Sequence, residues 1–147
     1  MIRKLELSDI DAAIRFGDEM RRRSRFRGYP LHWERSAFIL SELILNPDVY
    51  SRAVDVDGLQ GVLLGEVTTD LFVDVQRAST FFLYARQAAQ IVCLIKDFKA
   101  WAAPRAHFVT VDVSGGVDDA RLLNILERRT GLAPAGGRVL VEVSHGS

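Results

Sequence analysis

The 147-residue sequence has one cysteine, three histidines, no net charge and no long apolar run, and each scarcity closes off a class of protein. No stretch approaches the roughly 18 apolar residues of a membrane-crossing helix, and Met1 leads straight into a strand-like pattern instead of a signal peptide, so a cytoplasmic protein is expected. Cys93 alone cannot close an intramolecular disulfide, and Val92 and Leu94 beside it read as helical core. His32, His107 and His145 stand far apart without cysteine or carboxylate at ligand spacing, so no metal site is expected. Nineteen basic residues balance 19 acidic ones, which leaves no whole-molecule field to attract nucleic acid or anionic lipid. One absence is local: no glycine occurs between Gly65 and Gly115.

What is present is the composition of one globular domain over residues 1–147, with 48% hydrophobic and 26% charged residues. Residues 2–7 read as a strand, and Ser8 with Asp11 forms a weakened capping box where a helix should begin. Ile10, Ala13, Ile14, Gly17 and Met20 keep one helical stripe up to Arg21. Gly28 and Pro30 mark a loop, and residues 34–45 form a second helix stopped by Asn46-Pro47. Residues 49–56 and 61–67 flank Asp57-Gly58, a dipeptide suited to a hairpin reversal. Residues 77–84 form a third strand, residues 88–102 a buried helix, and residues 107–113 another strand. Gly115-Gly116 breaks the chain before a helix over residues 118–129, capped by Gly131, and residues 138–143 close as a strand with Val139, Val141 and Val143 on one face. The predicted order is βααβββαβαβ. The hairpin requires antiparallel pairing and the two late strand-helix-strand passages favour parallel pairing, so a mixed α/β sheet with helices on both faces is expected.

The densest local feature is an arginine run, Arg21, Arg22, Arg23, Arg25 and Arg27, followed by Tyr29, His32 and Trp33. Arginine pairs bidentately with carboxylates and stacks on aromatic rings, so Arg21, Arg22, Arg23, Arg25, Arg27, Tyr29 and Trp33 are the candidate surface for a protein partner or a second copy. The bland alternative is a solvated helix end that favours cations through its dipole. Phe81, Phe82, Phe98 and Trp101 fit a core. Ser114 and His145 lack a third partner for a hydrolase triad.

The segments IRKLELSDIDAAI, AVDVDGLQGVLLGEV, FFLYAR, KDFKAWA and VDVSGGVDDARLLNILERRTGL, in this order and spacing, resemble the GNAT N-acetyltransferase superfamily over nearly the whole chain. The Ser24-Arg25-Phe26 to Pro30 loop is similar to that of GNAT-like proteins of tailed phages, which adds a virion to the expected locations. The resemblance implies an acyl-CoA site in which a strand matching 81–84 enters a Q/R-x-x-G-x-G/A loop at a helix start. Backbone N–H groups converge there on a diphosphate, and glycines let the chain approach it. Here Tyr84, Arg86, Gln87 and Ala88 occupy that position, the connection is shorter and it has no glycine. The family's frequent tyrosine acid, four residues before a glycine, is matched by Glu127, and a carboxylate is ordinarily ionised at neutral pH. With both features altered, the expectation is a non-catalytic GNAT-fold protein without a cofactor that acts through protein contacts, as in a phage particle. The alternatives are a divergent acetyl-CoA-dependent N-acetyltransferase acting on an amine, with Glu127 as its acid, and a small-molecule sensor.

Overall fold

The computed structural model describes residues 1–24, 26–112, 119–135 and 138–142, with residues 119–120, 134–135 and 138–142 described by backbone alone. Along the chain lie β1 (Ile2–Lys4), α1 (Ile10–Arg22), α2 (Trp33–Leu45), β2 (Val49–Asp55), β3 (Leu59–Thr69) and β4 (Gln76–Ala85). They are followed by α3 (Ala88–Ala102), β5 (Phe108–Asp112), α4 (Asp119–Thr130), β6 (Ala133–Ala135) and β7 (Arg138–Glu142). The strands form one mixed sheet in the order β1-β2-β3-β4-β5-β7-β6. Pairing is antiparallel except between β4 and β5.

Alternation along β3 divides the core between the two faces of the sheet. Leu63 and Val67 pack with Leu94, Ile95 and Phe98 of α3, and Val62 and Leu64 pack with Ala13 and Phe16 of α1 and Ile44 of α2. Gly61 and Gly65 bring β3 up against α3. A Cβ on Gly61 would lie 2.8 Å from the Ala85 Cβ, and one on Gly65 would lie 2.6 Å from Phe98 Cε2. At the β2–β3 hairpin, Asp57 and Gly58 both adopt positive φ, 52° and 109°, as the dipeptide predicts. Gly131 takes a φ of 73° after α4, the left-handed geometry that ends a helix.

Four expectations need correction. The predicted parallel pairing across α4 is replaced by an antiparallel β5–β7 pair, because the short Ala133–Ala135 strand pairs with β7 and reverses the chain before it reaches β5. The first helix starts at Ile10 instead of Ser8. A 3-10 turn over Leu7–Asp9 precedes it, and the Asp9 carboxylate, not Asp11, accepts the Glu6 N–H at 2.8 Å. Cys93 is half-buried. Phe81 is 47% exposed and outside the core, because the β3–β4 register shifts at Leu64/Gly65 and leaves Phe81 as the extra residue of a bulge. The turn at Gly115-Gly116, the strand and helix ends at Val113, Asp118 and Val143, and Arg25, Ser114 and His145 lie outside the described residues, as do the side chains of Val139 and Val141.

Candidate functional site

β4 pairs with β5 only ahead of its bulge. The two strands are in register only from Arg77 opposite Phe108 to Ser79 opposite Thr110, after which the Asp112 N–H donates to Thr80 Oγ1 at 3.0 Å. From Phe81 to Ala85 β4 has no strand neighbour on its β5 side among the described residues. The end of β4 leads to the junction with α3, which consists of Arg86 and Gln87 alone.

Both junction residues are engaged within the fold. The Arg86 guanidinium meets the Glu19 carboxylate at 3.0 Å, donates to Gln60 Oε1 at 3.2 Å and lies over the Phe16 ring, 5.3 Å from its centroid. The Arg86 N–H donates to the Gln60 carbonyl at 3.0 Å. Gln87 is the N-cap of α3. Its N–H donates to Gln90 Oε1 at 3.1 Å, and its carbonyl accepts the Gln90 N–H at 3.1 Å and the Ile91 N–H at 3.3 Å. A glycine-built diphosphate cradle would need these N–H groups turned outward. The residues present therefore do not reproduce that cradle, and a carboxylate, Glu19, stands beside it.

The arginine run and the junction, which are far apart in sequence, meet in space. Arg23 pairs with Glu19 at 3.5 Å and donates to the Tyr84 hydroxyl at 3.3 Å, while the Tyr84 ring packs on Phe16 with centroids 5.1 Å apart. Arg21 turns inward, pairing with Asp18 at 2.8 Å and donating to the carbonyls of Arg27 at 3.1 Å and Tyr29 at 2.8 Å, so it latches the α1–α2 loop. Arg22 also reaches Asp18 at 2.8 Å yet stays 73% exposed. His32 caps α2, its Nδ1 accepting the Arg35 N–H at 3.1 Å. Arg27 and Tyr29 are exposed, with the Tyr29 ring 6.5 Å from that of Phe26.

A groove of about 410 Å³ gathers part of this set: Arg15, Asp18, Glu19, Arg22, Arg23, Leu31 and Trp33. The sequence reading missed Arg15, Asp18, Glu19 and Leu31. For Asp18 and Glu19 a signal was available, since they stand three and four residues before Arg21, Arg22 and Arg23, the spacing of paired charges on a helix. Glu127 lies half-buried on α4, with no side-chain hydrogen bond or ion pair among the described residues. Among these residues no group of three His, Cys, Asp or Glu side chains converges as for a metal, and no helix is long and apolar enough to cross a membrane.

The fold recurs in solved structures. An acetyltransferase of the GNAT family from Streptococcus pneumoniae superposes with a TM-score of 0.75 at 10% identity, covering 98% of this chain and 99% of that one. The chain has the GNAT fold. A putative acetyltransferase from Agrobacterium tumefaciens str. C58, a further GNAT-like neighbour, has a TM-score of 0.72 at 9% identity, over 99% of both chains. The PaiA N-acetyltransferase from Thermoplasma acidophilum, solved with coenzyme A, has a TM-score of 0.66 at 16% identity, over 99% of this chain and 98% of that one. No family model matches the sequence, and no curated protein matches it. At these identities the likeness is one of GNAT fold alone, and function has to be argued from the site.

Proposed function

We propose that this GNAT-fold chain does not transfer acetyl groups and works through protein contacts, as a structural piece of a larger assembly. The observation that carries the reading is the state of Arg86. At the position where the resemblance implies a diphosphate grip, its guanidinium is held by Glu19 and Gln60 over the Phe16 ring. An incoming diphosphate would have to displace that carboxylate and would find the Gln87 and Gln90 N–H groups already donated. The exposed arginine and aromatic side chains of the α1–α2 loop support the contact half of the reading, because arginine and aromatic residues are enriched where proteins bind proteins. The likeness of the Ser24 to Pro30 loop to phage GNAT-like proteins makes a virion the first assembly to examine.

Isothermal titration of the full chain with acetyl-CoA tests this. The expected result is no binding heat at ligand concentrations up to about 1 mM, and a Kd of about 10 µM or tighter would overturn the reading.

The end of the β4–β5 pairing at Ser79 and the bulge at Phe81 favour one other reading, a divergent N-acetyltransferase that holds acetyl-CoA by its pantetheine arm between those strands. In that reading Tyr84 and Ala88 lie beside the cofactor, and Glu127 is the candidate acid. Mass spectrometry of an amine and peptide panel incubated with acetyl-CoA decides it: acetylated products lost on Glu127→Gln support it, and an unmodified panel rejects it.

A further inference from the structure

The turn joining β3 to β4 presents a bare apolar tip. Leu71 is 83% exposed, Phe72 90% and Val73 56%. The tip is held in shape by its own backbone. Asp70 Oδ1 accepts the N–H groups of Phe72 at 2.9 Å and Val73 at 3.2 Å, the Val75 N–H donates to the Val73 carbonyl at 2.8 Å, and the Asp70 N–H donates to the Val75 carbonyl at 2.8 Å. A preformed wedge loses little conformational freedom on binding. Acidic residues, Asp70 and Asp74, stand on either side of it.

The groove on α1 has the complementary character. Trp33, 41% exposed, and Leu31, 37% exposed, supply apolar surface, and the charged lining is Arg15, Arg22 and Arg23 against Asp18 and Glu19, with Arg22 paired to Asp18 and Arg23 to Glu19. The two features lie at opposite ends of the β3–β4 ladder. The tip follows the Thr69 and Gln76 pair, and the α1 end contacts Tyr84 and Arg86, beside the Gly61 and Ala85 pair. Eight residue steps separate those pairs, about 26 Å of strand. One chain cannot bring its own tip to its own groove.

We infer that the tip of one chain binds the groove of the next, with Phe72 against Trp33 and Leu31 and with Asp70 and Asp74 facing Arg15 and Arg22. The inference rests on the proposed assembly role and names the partner as a second copy. Charge favours that occupant: Asp70 and Asp74 flank the wedge, the groove lining carries three arginines against two carboxylates, and at zero net charge two copies meet without long-range repulsion. An anionic membrane would instead repel Asp70 and Asp74. Taken head to tail, from each chain to the next, the contact is heterologous and propagates into a ring or an open filament, whereas a reciprocal two-fold pairing would stop at a dimer. Three apolar side chains against a shallow groove bury less than about 1,200 Å², the class of weak contacts, so association belongs in the micromolar range.

Sedimentation equilibrium of the full chain over a wide concentration range tests this. The expected average mass of the wild type rises more than about twofold with concentration, and Phe72→Asp and Trp33→Ala each remain monomeric. Both side chains are exposed, and unchanged unfolding midpoints would exclude misfolding as the cause. Each variant keeps the surface that the other lacks, so their equimolar mixture should form a dimer and stop there. Asp74→Arg should weaken assembly, and Arg22→Asp in the same chain should restore it. A wild type that stays monomeric overturns the inference, as does an oligomer that persists in both single variants or a Phe72-dependent flotation with phosphatidylserine vesicles. A monomer that also binds no acetyl-CoA would remove this contact and leave the non-catalytic reading standing, whereas an oligomer that binds acetyl-CoA would do the reverse.

Discussion

Gly65 sits where a methyl group has no room. An added Cβ would lie 2.6 Å from Phe98 Cε2 and 3.0 Å from the Ser79 carbonyl oxygen, and Phe98 is fully buried. Gly65→Ala should therefore lower stability by about 1–3 kcal/mol through overpacking. Gly17, in the middle of α1, has nothing within 4 Å of the same added atom. Gly17→Ala should gain about 0.5–1 kcal/mol from helix propensity. Urea unfolding of both variants checks the pair, and equal effects would contradict the packing described for α3. The sequence pattern did not separate these two glycines, since one stands in an apolar strand run and the other in a helical stripe and neither run shows what packs above it. Phe16 is a similar case. It lies in the core yet outside the stripe drawn through Ile10, Ala13 and Ile14, and its ring packs on Tyr84 and carries the Arg86 guanidinium over it.

Between elements, polar side chains tie α3 to the sheet. Asp97 on α3 accepts from the Tyr50 hydroxyl at 2.7 Å and from Arg52 at 2.8 Å, while Tyr50 packs edge-on to Phe98 and Trp101. Burial first, and then the hydrogen bond to Asp97, push the Tyr50 phenol far above its ordinary pKa. The unfolded chain loses this proton near pH 10 while the folded chain keeps it, so the stability is fully present below about pH 10 and declines as pH rises further. Tyr50→Phe should cost about 1–2 kcal/mol at neutral pH and flatten that alkaline decline. Stability measured from pH 7 to 11 checks both, and an unchanged slope would show that another group is responsible. Element existence was legible here, since apolar period and turn chemistry located the helices and the main strands. What escaped was parity and direction. One extra residue at Phe81 exchanges the faces of β4, so that Ala78 before the bulge and Leu83 after it both meet α3, and two adjacent phenylalanines do not show which faces inward. Ala133–Ala135, three residues including a proline, lacks the β-branched pattern of a strand, and without it the direction of β7 cannot be deduced.

At the scale of the whole molecule, most of the order of elements and the missing glycines were visible in the chain, and the resemblance of its segments to GNAT proteins carried the expectation of the fold. Of the candidate site, the missing glycines were legible, but the Arg86–Glu19 bridge at that position was not, because 67 residues separate the partners. Separation along the chain likewise hid the placement of the acidic-flanked tip and the groove at opposite ends of the β3–β4 ladder. If those surfaces join copies as inferred, salt separates the two components of the contact. Burial of Phe72, Leu71 and Trp33 is insensitive to moderate salt, whereas facing charges at an exposed rim are screened within about 8–10 Å at 0.1–0.15 M. Raising sodium chloride from about 50 to about 500 mM should therefore weaken association several-fold, and the charge-reversed pair Asp74→Arg with Arg22→Asp should show the same dependence. Association that strengthens with salt would show that the apolar wedge acts alone and that Arg15 and Arg22 only solvate the helix face.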